Sequence, residues 1–191
     1  MQLDEPAERA LRLGDAFAVI EHLIQSVRAL SLDLRPASID ELGLATALRV
    51  HAQSHAARGG LAVRLAFDEP LPRCDAAIEI ACFRVAQEAL TNVLRHANAK
   101  EVVIELRHRG DALQLRVQDD GVGFDVASAE ARVASGASFG LLSMRERVNL
   151  AGGTFVCKSA AGLGTTIKVH FLLPMKRTEI RDEEAARNSG G

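Results

Sequence analysis

The chain has no tryptophan and no tyrosine, and its seven phenylalanines are its only large aromatic residues. A base-stacking nucleic-acid surface would have to rest on Phe, His and Arg alone. It also lacks any charge excess: 23 Lys and Arg against 25 Asp and Glu leave a formal charge of −2, which gives no general attraction to nucleic acid or anionic lipid. Phosphate binding, if present, is therefore expected to be local, and no nucleic-acid partner is expected. The three cysteines, Cys74, Cys82 and Cys157, form no CxxC or other metal-ligand spacing, which suits reduced core thiols. No apolar stretch approaches the roughly 20 residues that cross a bilayer. With no signal-peptide pattern at the start, a soluble, cytoplasmic chain is expected, membrane anchoring of a longer protein being left open.

What is present is enough for one ordinary domain plus an appendage: 191 residues, 48% of them hydrophobic. From about Glu8 to Leu34 the apolar positions Leu13, Phe17, Ile20, Ile24, Val27 and Leu34 step by four and three, the seam of a bundle or coiled coil. Pro36 ends it. A second helix is predicted from Ser38 or Asp40 to Gly59-Gly60, then a strand Leu61 to Phe67 and a long helix from Asp75 to about Asn98. Val102 to His108 and Ala112 to Gln118 read as a hairpin around Gly110-Asp111. Asp119 to Ser138, rich in Gly, Ala, Ser and Asp, reads as a mobile loop. A helix Leu141 to Leu150 and a final hairpin, Thr154 to Lys158 with Thr165 to Leu172, complete the pattern, and the polar stretch after Pro174 reads as a disordered tail.

The long helix carries the strongest signal. In RVAQEALTNVLRHANA, Glu88, Asn92 and His96 fall on successive turns of an otherwise apolar helix. A helical wheel places Asn92 between Ala81 and Val85, His96 beside Ile78, and Glu88 on the edge of the apolar arc. A carboxylate and a carboxamide along a core border need partners, because burying them unpaired costs about 1–3 kcal/mol each. A bound cation is one candidate. The loop DDGVGFD follows a strand, and its two glycines permit close backbone approach of a ligand, yet Val126 stands where a Rossmann fingerprint has its third glycine, and GLGTT lacks the P-loop lysine. In SFGLLSMRERVNLAGG, Gly140 and Leu141 offer free N–H groups at a helix start, a favourable place for phosphate. Taken singly, an acidic turn and an amphipathic helix are ordinary surface features.

Their order changes the reading. RVAQEALTNVLRHA resembles the N box, DDGVGFD the first glycine box, FGLLSMRERV the second and GLGTT the terminal box of sensor histidine kinase ATP-binding domains, within the wider gyrase, chaperone and mismatch-repair ATPase superfamily. The resemblance covers roughly Ala76 to Leu173, and LSLDLRPASIDELGLATALR is similar to the link between dimerisation helix and ATP domain in one subfamily. It implies an α/β fold: a two-layer sandwich whose mixed, mostly antiparallel sheet carries helices on one face, preceded by a long helix from a dimerisation bundle. The implied organisation is a partial dimerisation and phosphotransfer hairpin at 1–36, a linking helix at 37–60, the ATP-binding domain at 61–174 and the tail at 175–191.

Residue by residue, the resemblance implies that Asn92 holds Mg²⁺ against the ATP phosphates, a role suited to an oxygen donor for a hard cation. Asp119 would accept the adenine amino proton, Gly121 and Gly123 would flank the base, Gly140 and Leu141 would donate N–H groups to phosphate, and Thr166 would support Asp119. Glu88 would orient the metal shell or aid proton transfer, and His96 would make a phosphate or water-mediated contact, with a hydrogen-bonded, half-buried histidine as the structural alternative. Implied partners are ATP and ADP, a response regulator and, in the full-length protein, a second copy of the chain. No phosphoacceptor histidine followed by an acidic residue is in place, since His22 is followed by Leu23 and Ile24; His51 and His55 read as a solvated face. The acceptor is therefore expected on a segment upstream of this sequence. Two alternatives stay open: a serine kinase of the anti-sigma-factor type, against which LDLRPASIDELGL argues, and a nucleotide-sensing module without transfer activity.

Overall fold

The structure is a computed structural model in which residues 37–133 and 139–173 are described. The seam from Glu8 to Leu34, the tail after Pro174 and the boundaries at 36 and 174 lie outside them.

Helix α1 (Ala37–Gly59) is broken at Gly43, whose φ of 79° and ψ of 166° suit only glycine. Ile39 lies before the break, and Leu44, Ala47, Leu48 and Ala52 after it; all are buried. Strand β1 (Ala62–Phe67) follows, then α2 (Ala76–Asn92), whose N-cap Asp75 accepts the Ala77 N–H at 2.9 Å. The helix does not continue to Asn98 as an α-helix. From Val93 to Ala97 it widens into a π-helical turn, closed by Asn98 in the left-handed conformation.

Strands β2 (Glu101–Arg109) and β3 (Ala112–Asp119) form the expected hairpin, with Gly110 at φ 60° in the first central position, as a type II′ turn needs. Part of the predicted loop is a helix, α3 (Val126–Val133), since its Ala, Glu and Arg are good helix formers and Ala129 is buried. Helix α4 (Phe139–Leu150) begins two residues earlier than expected, and β4 (Thr154–Ser159) pairs with β5 (Thr165–Leu172).

The sheet order is β1-β2-β3-β5-β4, with β1 parallel to β2 across the α2 crossover and the other pairs antiparallel. Strict alternation decides which face is covered: Val102, Ile104, Leu106, Leu113, Leu115, Val117, Ile167, Val169 and Phe171 are buried, while their neighbours along each strand are not. Against that face lie α2 residues Ala81, Cys82, Val85, Ala86, Ala89 and Leu90, with Met144 and Val148 of α4. The result is the expected two-layer α/β arrangement, mixed sheet and helices on one face. Among the described residues no two cysteines are joined by a disulfide, and burial pushes the Cys82 thiol far up, so it stays protonated. No helix among the described residues is long and apolar enough to cross a membrane.

Candidate functional site

Three chain segments meet where α2 ends. Val122 donates its N–H to the Ala97 carbonyl at 2.7 Å, which fastens the DDGVG loop to the π-helical turn. Gly121 packs so tightly there that a Cβ would lie 2.7 Å from the Ala97 Cβ. The adjacent acidic pair divides its work. Asp120 faces back, its Oδ1 accepting the Lys100 and Glu101 N–H groups at 2.8 and 2.9 Å, and the Glu101 bond leads the interactions that hold its carboxyl below the ordinary range. Asp119 faces the core side, 6% exposed, and its Oδ1 accepts the Gly121 N–H at 2.8 Å.

Burial raises the Asp119 pKa, opposed by bonds from the Gly121 N–H and from Thr165, through both its N–H and its hydroxyl. The support expected of Thr166 thus comes from Thr165. Register explains the shift: Thr166 pairs with Gln118 on the open face of the sheet, whereas Thr165 shares the covered face with Ile167 and Val169.

The terminal hairpin closes on the same loop. Gly162 donates to the Val122 carbonyl at 2.6 Å, and Ser159 Oγ accepts the Phe124 N–H at 2.9 Å while donating to the Gly164 carbonyl at 2.8 Å. Gly123, at φ 61°, lies against the Ala160 carbonyl with no room for a side chain. These contacts make the two glycine loops one packed unit, which sequence spacing alone did not reveal.

On the opposite side, α4 begins directly over α2. A Cβ on Gly140 would sit 2.6 Å from Glu88 Oε1 and 3.6 Å from Asn92 Nδ2, so the first turn of α4 rests on both polar side chains. Glu88 and Asn92 are half-buried, and among the described residues neither makes a side-chain hydrogen bond or ion pair. An oxygen-rich, half-buried pair beneath a helix start is a donor set that fits a hard cation with retained waters and a phosphate above it. Leu141 is half-buried and packs on the core.

His96 stands apart from this group. It is exposed rather than beside Ile78, because the wheel assumed about 100° per residue and the wider π turn after Asn92 advances less. A half-buried histidine is therefore excluded, and its ring is open to solvent at the end of the turn. Phe139 begins α4, and its side chain lies outside the described residues. A cleft of about 650 Å³ lies elsewhere, between the Gly43 break and the loop from Glu69 to Cys74, and none of the candidate residues lines it.

A family model described as histidine kinase-, DNA gyrase B-, and HSP90-like ATPase matches residues 77–177. The chain is 36% identical over 189 residues to the signal transduction histidine-protein kinase/phosphatase DegS of Bacillus subtilis, covering 92% of this chain and 48% of that protein. It is 32% identical over 168 residues to a sensor-like histidine kinase of Chloroflexus aurantiacus, covering 86% of this chain and 28% of that one. The chain thus spans half or less of these relatives. Among solved structures, the Erythrobacter litoralis EL346 blue-light activated histidine kinase superposes with a TM-score of 0.60 at 23% identity, over 83% of this chain and 51% of that one. The Acinetobacter baumannii histidine kinase AdeS superposes at 0.56 and 15% identity, over 91% and 87%. At these identities the superpositions speak to the fold.

Proposed function

The chain belongs to the histidine kinase-, DNA gyrase B- and HSP90-like ATPase family, and from that premise we propose that it is the ATP-binding catalytic part of a sensor histidine kinase, donating the γ-phosphoryl group of ATP to a histidine outside these 191 residues. The observation that carries the reading is the meeting of Glu88 and Asn92 with Gly140 in the first turn of α4, together with a buried Asp119 held on a packed glycine loop. Residues 61–174 would form the nucleotide domain, preceded by the linking helix and a dimerisation helix.

In this reading Asp119 accepts the adenine amino proton with the oxygen that the Gly121 N–H leaves unused, and Thr165 fixes its orientation. Burial sharpens that contact, because a charged acceptor in a low-dielectric setting forms a stronger bond than in water. Gly140 and Leu141 present N–H groups to the phosphates, Asn92 supplies a carboxamide oxygen to Mg²⁺, and Glu88 orients the surrounding waters. His96, exposed at the rim, reaches a phosphate or a bridging water. Mg²⁺, when bound, supplies charge neutralisation between phosphate oxygens. What remains for the protein is in-line positioning, which provides much of the rate enhancement in such transfers. A response regulator would receive the phosphoryl group next, and the full-length protein would act as a homodimer. A cytoplasmic site of action follows from the need for ATP.

The test uses the full-length protein that contains this chain, incubated with γ-labelled ATP and Mg²⁺. Acid-labile, base-stable label that disappears in Asn92→Ala is expected. Acid-stable label on serine, or no label in a protein that binds ATP, would overturn the proposal.

A further inference from the structure

The second face of the sheet is uncovered among the described residues, and its charges are sorted across it. Pairing places Val156, Lys168, Arg116, Glu105 and Ala66 in one row across all five strands, and Lys158, Thr166, Gln118, Val103 and Arg64 in another. Among the described residues every carboxylate of this face lies at the β1–β2 side: Glu101 with Arg64 at 3.2 Å, Asp68 with Arg107 at 2.7 Å, and Glu105, which accepts Arg116 at 2.7 Å. The β4–β5 side carries Lys158, Lys168 and His170 with no acid among them, and among the described residues neither lysine has an ion-pair partner. Lys168 stands directly opposite Arg116, and like charges in that position destabilise a sheet. Both lysines are exposed, as are Val156 at 45% and Leu172 at 66%. A basic patch edged by apolar side chains, on a chain whose net charge is −2, is therefore local.

We propose that this half-face, centred on Lys158, Lys168 and Arg116, is a docking surface for an acidic protein segment, distinct from the nucleotide site. Charge complementarity names the occupant. Carboxylates would lie between the two lysines and share the Arg116 guanidinium with Glu105, while Val156 and Leu172 supply apolar contact at the border. A nucleic acid is disfavoured because among the described residues the face has no aromatic for stacking beyond His170, and an anionic membrane because the rest of the chain is acidic on balance.

The experiment records amide shifts of the ¹⁵N-labelled chain titrated with a peptide of about 12 residues alternating Glu and Ala, at low and high salt. Shifts confined to β3, β4 and β5, and an affinity lowered at least about 10-fold in Lys158→Glu/Lys168→Glu, are expected. A control with the same charge change on the helical layer, Arg49→Glu/Arg147→Glu, should keep the affinity within about 2-fold. Lys168→Glu alone should raise Tm by about 1–3 °C by removing the opposed charges while weakening the peptide, a pairing that a merely structural lysine would not produce. ATP-analogue binding should persist in all variants and so verifies folding independently. Unchanged peptide affinity in the double variant, tighter binding of single-stranded DNA or phosphatidylserine vesicles, or a self-association lost with the lysines would each overturn the proposal.

Discussion

Gly140 rests on Glu88 so closely that a single added methyl group would come within 2.6 Å of the carboxylate Oε1. Real Cβ atoms do not approach an oxygen so nearly, so Gly140→Ala must displace either the start of α4 or the Glu88 side chain. Because α4 is docked through the buried Met144 and Val148, the side chain is expected to yield first. Nucleotide affinity should fall by about 1–2 kcal/mol, and Gly140→Ala/Glu88→Ala should be less than additive, the signature of residues in contact. Calorimetric titration of the four variants of this cycle checks the coupling; strict additivity would mean that the two residues do not share the site.

Asp119→Asn should lower ATP affinity by about 1.5–3 kcal/mol, the range for a hydrogen bond to a charged group. The apo protein should respond in the opposite sense. Burial lifts the Asp119 carboxyl above its ordinary value, so its ionisation opposes folding: stability is greatest below the unfolded pKa, about 3.9, and declines as pH rises through the folded one. The Asp119→Asn protein, uncharged at this position throughout, should therefore melt at or slightly above the parent at neutral pH and converge with it in acid. Melting curves across pH measure the effect, and ATP affinity of the parent should weaken over the same window as the carboxylate is lost.

Asp120→Ala should do the reverse, sparing any direct contact with adenine but loosening the loop that presents Asp119. Its lowered carboxyl contributes stability that is present above the unfolded pKa and disappears as pH falls through the folded one. A Tm drop of a few degrees at neutral pH, shrinking in acid, is expected by calorimetry. An unchanged Tm would show that the bonds to Lys100 and Glu101 are dispensable.

Thr165→Val and Thr166→Val separate two neighbours. The first removes a hydroxyl that bonds to Asp119 and should reduce ATP affinity about 3- to 10-fold, consistent with a net contribution of about 0.5–1.5 kcal/mol. The second lies on the open face and should leave affinity unchanged. Parallel binding isotherms decide it.

These cases mark what a sequence can carry. Strand alternation and the turn at Gly110 are local, so β2, β3, β4 and β5 were legible almost to the residue. Whether Thr165 or Thr166 meets Asp119 depends on cross-strand register, where one residue exchanges faces. The exposure of His96 depends on a π turn that no composition signals, and the helical nature of Val126–Val133 was hidden by flanking glycine, serine and alanine that suggested a loop. The anchoring role of Asp120 arises only when residues about 20 apart in sequence meet. Glu88 and Asn92 were legible because a four-residue spacing on one helix survives folding unchanged; their cover by Gly140 was not, since it joins α2 to α4.

Whether Asn92 and its neighbours bind a nucleotide through Mg²⁺ is read by calorimetric titration of this chain with ATP, with and without Mg²⁺, in parent and Asn92→Ala proteins. Mg²⁺ should tighten ATP binding to the parent about 10-fold or more, roughly 1.4 kcal/mol, and Asn92→Ala should remove most of this increment while retaining a residual metal-independent affinity through Asp119. Mg²⁺-dependent binding that is identical in the two proteins would contradict this role for Asn92.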